Sequence, residues 1–109
     1  MARSKKPEID WYQFASFVAA LYDEVDKLSK KTPGAPMSDF ATERVNRAIR
    51  DAKKLLTDDA YLADVHEFVP AGNNPEVRDA LLVMREVREA AYRSLGDDDY
   101  ELKNVLRVR

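Results

Sequence analysis

The chain has 109 residues, 45% of them hydrophobic and 35% charged, and its eighteen basic and twenty acidic side chains leave a formal net charge of −2. This composition fits one globular domain with one core and excludes a disordered chain. With the signs so nearly balanced, no global field steers a ligand, and any electrostatic function must be local. The absence of cysteine excludes disulfides and thiolate chemistry, and leaves only His, Asp and Glu as metal ligands.

The opening segment, with Arg3, Lys5 and Lys6, is basic, and no apolar signal-peptide core follows it. No apolar run approaches the length of a membrane span. The expectation is a cytoplasmic protein with no membrane contact. A first helix is predicted over residues 10–31, where Trp11, Phe14, Val18, Leu21, Val25 and Leu28 recur at spacings of three and four. Phe17 and Tyr22 share that arc, Asp10 is its N-cap, and Lys27, Lys30 and Lys31 suit the negative end of the helix dipole.

Thr32-Pro33-Gly34-Ala35-Pro36 ends this helix. Ser38 or Asp39 caps a second one reaching residue 56, with Ala41, Val45, Ala48, Ile49, Ala52, Leu55 and Leu56 on its apolar arc. Its alanines predict close approach to a neighbour. Thr57, Asp58 and Asp59 read as the cap and first turn of a third helix over residues 59–69, burying Tyr61, Leu62, Val65 and Phe68. Asn74 as N-cap and Pro75 as first helical residue start a fourth helix reaching Leu95, with Gly96 as its stop. Its inward positions are Val77, Ala80, Leu81, Met84, Val87, Ala91 and Leu95.

Residues 97–109 read as a short fifth helix burying Leu102, Val105 and Leu106, with an edge strand over Leu106-Arg107-Val108-Arg109 as the alternative. The fold class expected is all-α: a single-domain antiparallel bundle of four main helices, a basic arm at residues 1–9 and this C-terminal segment.

Catalytic signals are sparse. No serine lies in a Gly-x-Ser-x-Gly turn, and three glycines cannot build a Walker or dinucleotide loop. The one histidine, His66, falls at the rim of the third predicted helix and reads as a boundary residue. The run Leu21-Tyr22-Asp23-Glu24-Val25-Asp26-Lys27-Leu28 resembles the acidic helix of MazG-like pyrophosphohydrolases, and Glu86-Val87-Arg88-Glu89 offers a second carboxylate pair. That resemblance implies magnesium-dependent nucleotide hydrolysis by converging carboxylates. Asp23 and Glu24, however, point away from their helix's apolar arc, Glu86 and Glu89 lie opposite Val87 and Met84, and the fuller acidic pattern of the family is missing. No family is assigned on these residues, and hydrolysis ranks third among the readings. No catalytic, metal or cofactor site is expected.

Two surfaces stand out. The second helix carries Arg44, Arg47, Arg50, Lys53 and Lys54 against Asp39, Glu43 and Asp51, a local excess of two positive charges. Arg47, Arg50 and Lys54 are expected to project together in a pattern suited to successive phosphates, and the opposing reading is a solvated face with pairs such as Glu43–Arg47. In the fourth helix Arg88 falls inside the apolar arc, so it must snorkel, pair with a carboxylate or meet a partner. Leu82 lies on the polar side of that helix, and Phe40 and Tyr12 sit off their own core arcs. The leading expectation is a non-catalytic bundle acting through protein–protein interaction or self-association, with Phe40, Leu82 and Arg88 as interface candidates. The alternative is a nucleic-acid-backbone-binding subunit of a nucleoprotein complex that uses the basic face.

Overall fold

The computed structural model describes residues 9–68 and 73–107. Arg3, Lys5 and Lys6 of the basic arm, the expected end of the third helix at Val69, and the Val108-Arg109 end of the strand alternative lie outside them. Four α-helices, α1 (Trp11–Lys31), α2 (Asp39–Leu55), α3 (Val77–Arg93) and α4 (Tyr100–Leu106), form an all-α single-domain bundle.

Asp10 starts α1 as expected: its Oδ1 accepts from the Tyr12 N–H at 2.8 Å and the Gln13 N–H at 3.3 Å. The helix buries Phe14, Ala15, Val18, Ala19 and Val25, and Trp11 stacks edge-on against Phe14 with ring centroids 5.5 Å apart. Leu28, placed inward by the seam, is instead 40% exposed, because the last turn of α1 runs past the core. Ser38 caps α2, its Oγ accepting from the Ala41 N–H at 3.1 Å. The fully buried alanines Ala15, Ala48, Ala52, Ala80, Ala90 and Ala91 let the backbones of α1, α2 and α3 approach closely. α1 and α3 form the centre of the bundle: each touches all three other helices, and each touches the other most extensively.

The expected third helix does not form among the described residues. Asp59, not Thr57, organises the segment: its Oδ1 accepts from the Tyr61 and Leu62 N–H groups, each at 3.1 Å. Only a 3₁₀ turn, Leu62–Asp64, follows. The chain then becomes extended, because the buried Asn46 of α2 captures the Phe68 backbone. The Asn46 Nδ2 donates to the Phe68 carbonyl at 2.8 Å, and the Phe68 N–H donates to Asn46 Oδ1 at 2.7 Å. Leu62 and Val65 are buried as expected, but Tyr61 is 72% exposed.

α3 begins at Val77, later than the Asn74–Pro75 signal predicts. The loop before α2 supplies the cap instead. The Val77 N–H donates to the Ala35 carbonyl at 2.8 Å and the Arg78 N–H to the Pro33 carbonyl at 3.0 Å. Pro75 accepts from the Met37 N–H at 2.8 Å, and Asn74 Nδ2 donates to Met37 O and Asp39 Oδ1. Two helix starts are thereby tied side by side. α3 ends at Arg93 with Ser94 as C-cap, two residues before Gly96. The C-terminal segment takes the helical form, as α4, with Leu106 1% exposed. No helix among the described residues is long and apolar enough to cross a membrane.

Candidate functional site

The five cations of α2 divide. Arg44, Arg47 and Lys54 lie along one side and, with Asp51, face Asp10, Gln13, Phe14 and Phe17 of the α1 start across a groove of about 390 Å³. The Arg44 guanidinium sits between two rings, 4.9 Å from the Phe17 centroid and 5.6 Å from that of Phe40. It has no carboxylate partner among the described residues, and neither has Lys54. Arg47 is held at 3.6 Å from Asp51, not by the anticipated Glu43.

Arg50 turns away from this groove. Its Nε donates to Glu67 at 3.2 Å and its Nη2 to Glu67 at 3.0 Å, with Glu43 at 3.5 Å. The Glu67 hydrogen bond raises the Arg50 pKa above its ordinary value, against a lowering by burial, so the group stays charged and internally compensated. Lys53 is half-buried on a further side, beside Leu56, Thr57 and Leu62. Arg47, Arg50 and Lys54 therefore do not form the single row read from the sequence. Arg44, Arg47 and Lys54 do share one side.

Of the three interface candidates, Phe40 and Leu82 are exposed and Arg88 is drawn into the bundle. Phe40, 73% exposed, covers Arg44 at the groove. Arg88 lies 4.5 Å over the Tyr22 ring, donates to the Leu106 carbonyl at 3.5 Å and approaches Glu89 at 3.5 Å. It joins α1, α3 and α4 from within the bundle, and its chain covers apolar surface while its head is paired. Leu82, 56% exposed, stands about a third of a turn around α3 from Arg88.

Two of the three acidic residues of α1 make helix-surface pairs: Asp23 with Lys27 and Asp26 with Lys30, both at 3.3 Å. His66 is exposed in the extended stretch and is not at the rim of a helix. Among the described residues no group of three or more His, Asp or Glu side chains is placed to hold a metal ion.

One cluster escaped sequence reading. Arg93 Nη2 donates to both carboxylate oxygens of Asp59, at 3.0 and 2.9 Å, and its guanidinium lies 5.3 Å from the Tyr61 centroid. Burial pushes the Asp59 carboxyl up, but the Arg93 hydrogen bond and the Leu62 and Tyr61 N–H groups together hold it below its ordinary value. The partners lie 34 residues apart, beyond any local pattern.

Comparison with protein-family models, with curated proteins and with solved structures finds no match to this chain. Among the surface grooves of the described residues, the one between α1 and α2 is set apart by its two cations without carboxylate partners, Arg44 and Lys54.

Proposed function

We propose that the protein is a non-catalytic helical-bundle protein that binds a protein partner through the α1–α2 groove, in a cytoplasmic setting. The observation that carries this reading is the pairing of Phe40 and Arg44. A phenylalanine left 73% exposed holds a guanidinium that has no carboxylate of its own among the described residues. Exposed aromatics and arginines are the residues enriched at the energetic centres of protein interfaces. The neighbouring rings pre-orient the Arg44 side chain, which lowers the entropy lost on binding.

The second reading, binding to a nucleic-acid backbone, draws on the shared side of Arg44, Arg47 and Lys54. It is weakened by the two carboxylates of the same groove, Asp10 and Asp51, and by Glu43 and Glu67 around Arg50. A polyanion meets few uncompensated charges there.

A photo-crosslinking amino acid placed at Phe40 of the full chain, and separately at Leu82, tests the proposal in the native host. Discrete protein adducts at Phe40, absent at Leu82 and lost with Arg44→Glu, are expected. Equal adducts at both positions, adducts to nucleic acid, or none at all would overturn it.

A further inference from the structure

Resting on the reading of the α1–α2 groove as a protein-binding surface, we infer that its occupant is a second copy of this chain, which inserts the acidic turn between α3 and α4. The groove offers two cations without carboxylate partners among the described residues, Arg44 and Lys54, and the exposed Phe40 ring borders it beside Arg44. The chain carries the matching element. Asp97 and Asp98 are exposed, adjacent and in no ion pair among the described residues. Tyr100, two positions further, is 67% exposed.

The turn is pre-formed. The Asp99 N–H donates to the Gly96 carbonyl at 3.1 Å, and the Gly96 N–H donates back to Asp99 Oδ2 at 2.9 Å. This double closure places Asp97 and Asp98 at the corners of a tight turn, so presenting them costs little ordering entropy. Within one molecule neither set finds the other: no ion pair joins the groove cations to the turn. Between two molecules, the acidic turn meets the cationic side of the groove, and the Tyr100 ring meets the Phe40 and Arg44 surface. A net charge of only −2 leaves little general repulsion between copies.

The contact is small and charge-dependent, so the association is weak and salt-sensitive. Sedimentation velocity of the full chain over a concentration series, at low and high salt, measures it. Three samples are compared with the parent: Arg44→Glu with Lys54→Glu, Asp97→Lys with Asp98→Lys, and an equimolar mixture of these two variants. All four positions are exposed surface side chains, and matching thermal melts confirm that the variants fold. The parent is expected to show a sedimentation coefficient that rises with concentration. Each variant alone should associate at least about tenfold more weakly. The mixture should recover association, because each reversed patch then meets its complement.

A parent that stays monomeric at every concentration overturns the inference, as does association that neither variant weakens or that the mixture fails to restore. If it fails in this way while position 40 still forms discrete adducts with a different protein, the groove remains a protein-binding surface and only the choice of a second copy is wrong. Loss of both results removes the groove reading itself.

Discussion

The carboxamide of Asn46 and the backbone of Phe68 form a reciprocal hydrogen-bonded pair, with donor–acceptor distances of 2.8 and 2.7 Å, so a side chain of α2 acts as a strand partner for the segment that crosses it. Asn46 is 2% exposed, and removing its amide strands an N–H and a carbonyl in a half-buried place. Unpaired groups of this kind cost about 1–3 kcal/mol. Asn46→Ala is therefore expected to lower the unfolding free energy by about 2 kcal/mol in urea denaturation. A loss below about 0.5 kcal/mol would mean that the pair does not hold the segment in place.

That pair also explains where sequence reading succeeded and failed. The long helices α1, α2 and α3 were legible, because each buries one stripe at helical spacing and the Asp10 and Ser38 caps are local signals. The segment after α2 looked helical because Leu62, Val65 and Phe68 keep that spacing too. Its fate was set by Asn46, more than twenty positions earlier, and local periodicity carries no trace of such a partner. The visible hint was the presence of Thr42 and Asn46 at the edge of an otherwise apolar arc. The start of α3 was misplaced for the same reason: carbonyls of the Pro33–Ala35 loop cap it across the fold, overriding the Asn74–Pro75 signal. At the groove, the charges of α2 were legible as types. Their division between Phe17, Asp51 and Glu67 required knowing which elements pack beside them.

Thr42 is fully buried, and its hydroxyl finds no partner among the described residues. Replacing it with the similarly shaped valine removes an unpaired polar group at almost no change in volume. Thr42→Val is expected to raise stability by about 1 kcal/mol, read as a higher denaturation midpoint at unchanged slope. Destabilisation would show that the hydroxyl is satisfied in solution.

The Asp59–Arg93 bridge gives a pH signature. Because the Asp59 carboxyl is held below its ordinary value of 3.8, its charged form stabilises the fold above that pH, and the contribution is lost as pH falls through the lowered value. Asp59→Asn should cost about 1 kcal/mol at neutral pH, a low figure for a charged hydrogen bond because Arg93 is partly exposed. The variant and the parent should converge in strong acid. Thermal melts of both across the acid range measure the gap; a constant gap would refute the linkage.

Nucleic-acid binding makes a countable prediction. With only Arg44, Lys53 and Lys54 free of carboxylates among the described cations of α2, a labelled duplex titrated across salt should give a log–log slope no steeper than about −2.7. If all five cations of α2 reached phosphates, the slope would approach about −4.5, and the function would shift to nucleic acid.

The most direct test of the α1–α2 groove as the working surface is a dilution series of nitrogen–proton correlation spectra on the full chain. Concentration-dependent shifts are expected at Gln13, Phe17, Phe40, Arg44 and Lys54, and at Asp97, Asp98 and Tyr100, all reversing on dilution or added salt. Spectra that never change with concentration, or changes confined to the side of α3 around Leu82, would contradict the assignment of this groove to a second copy of the chain.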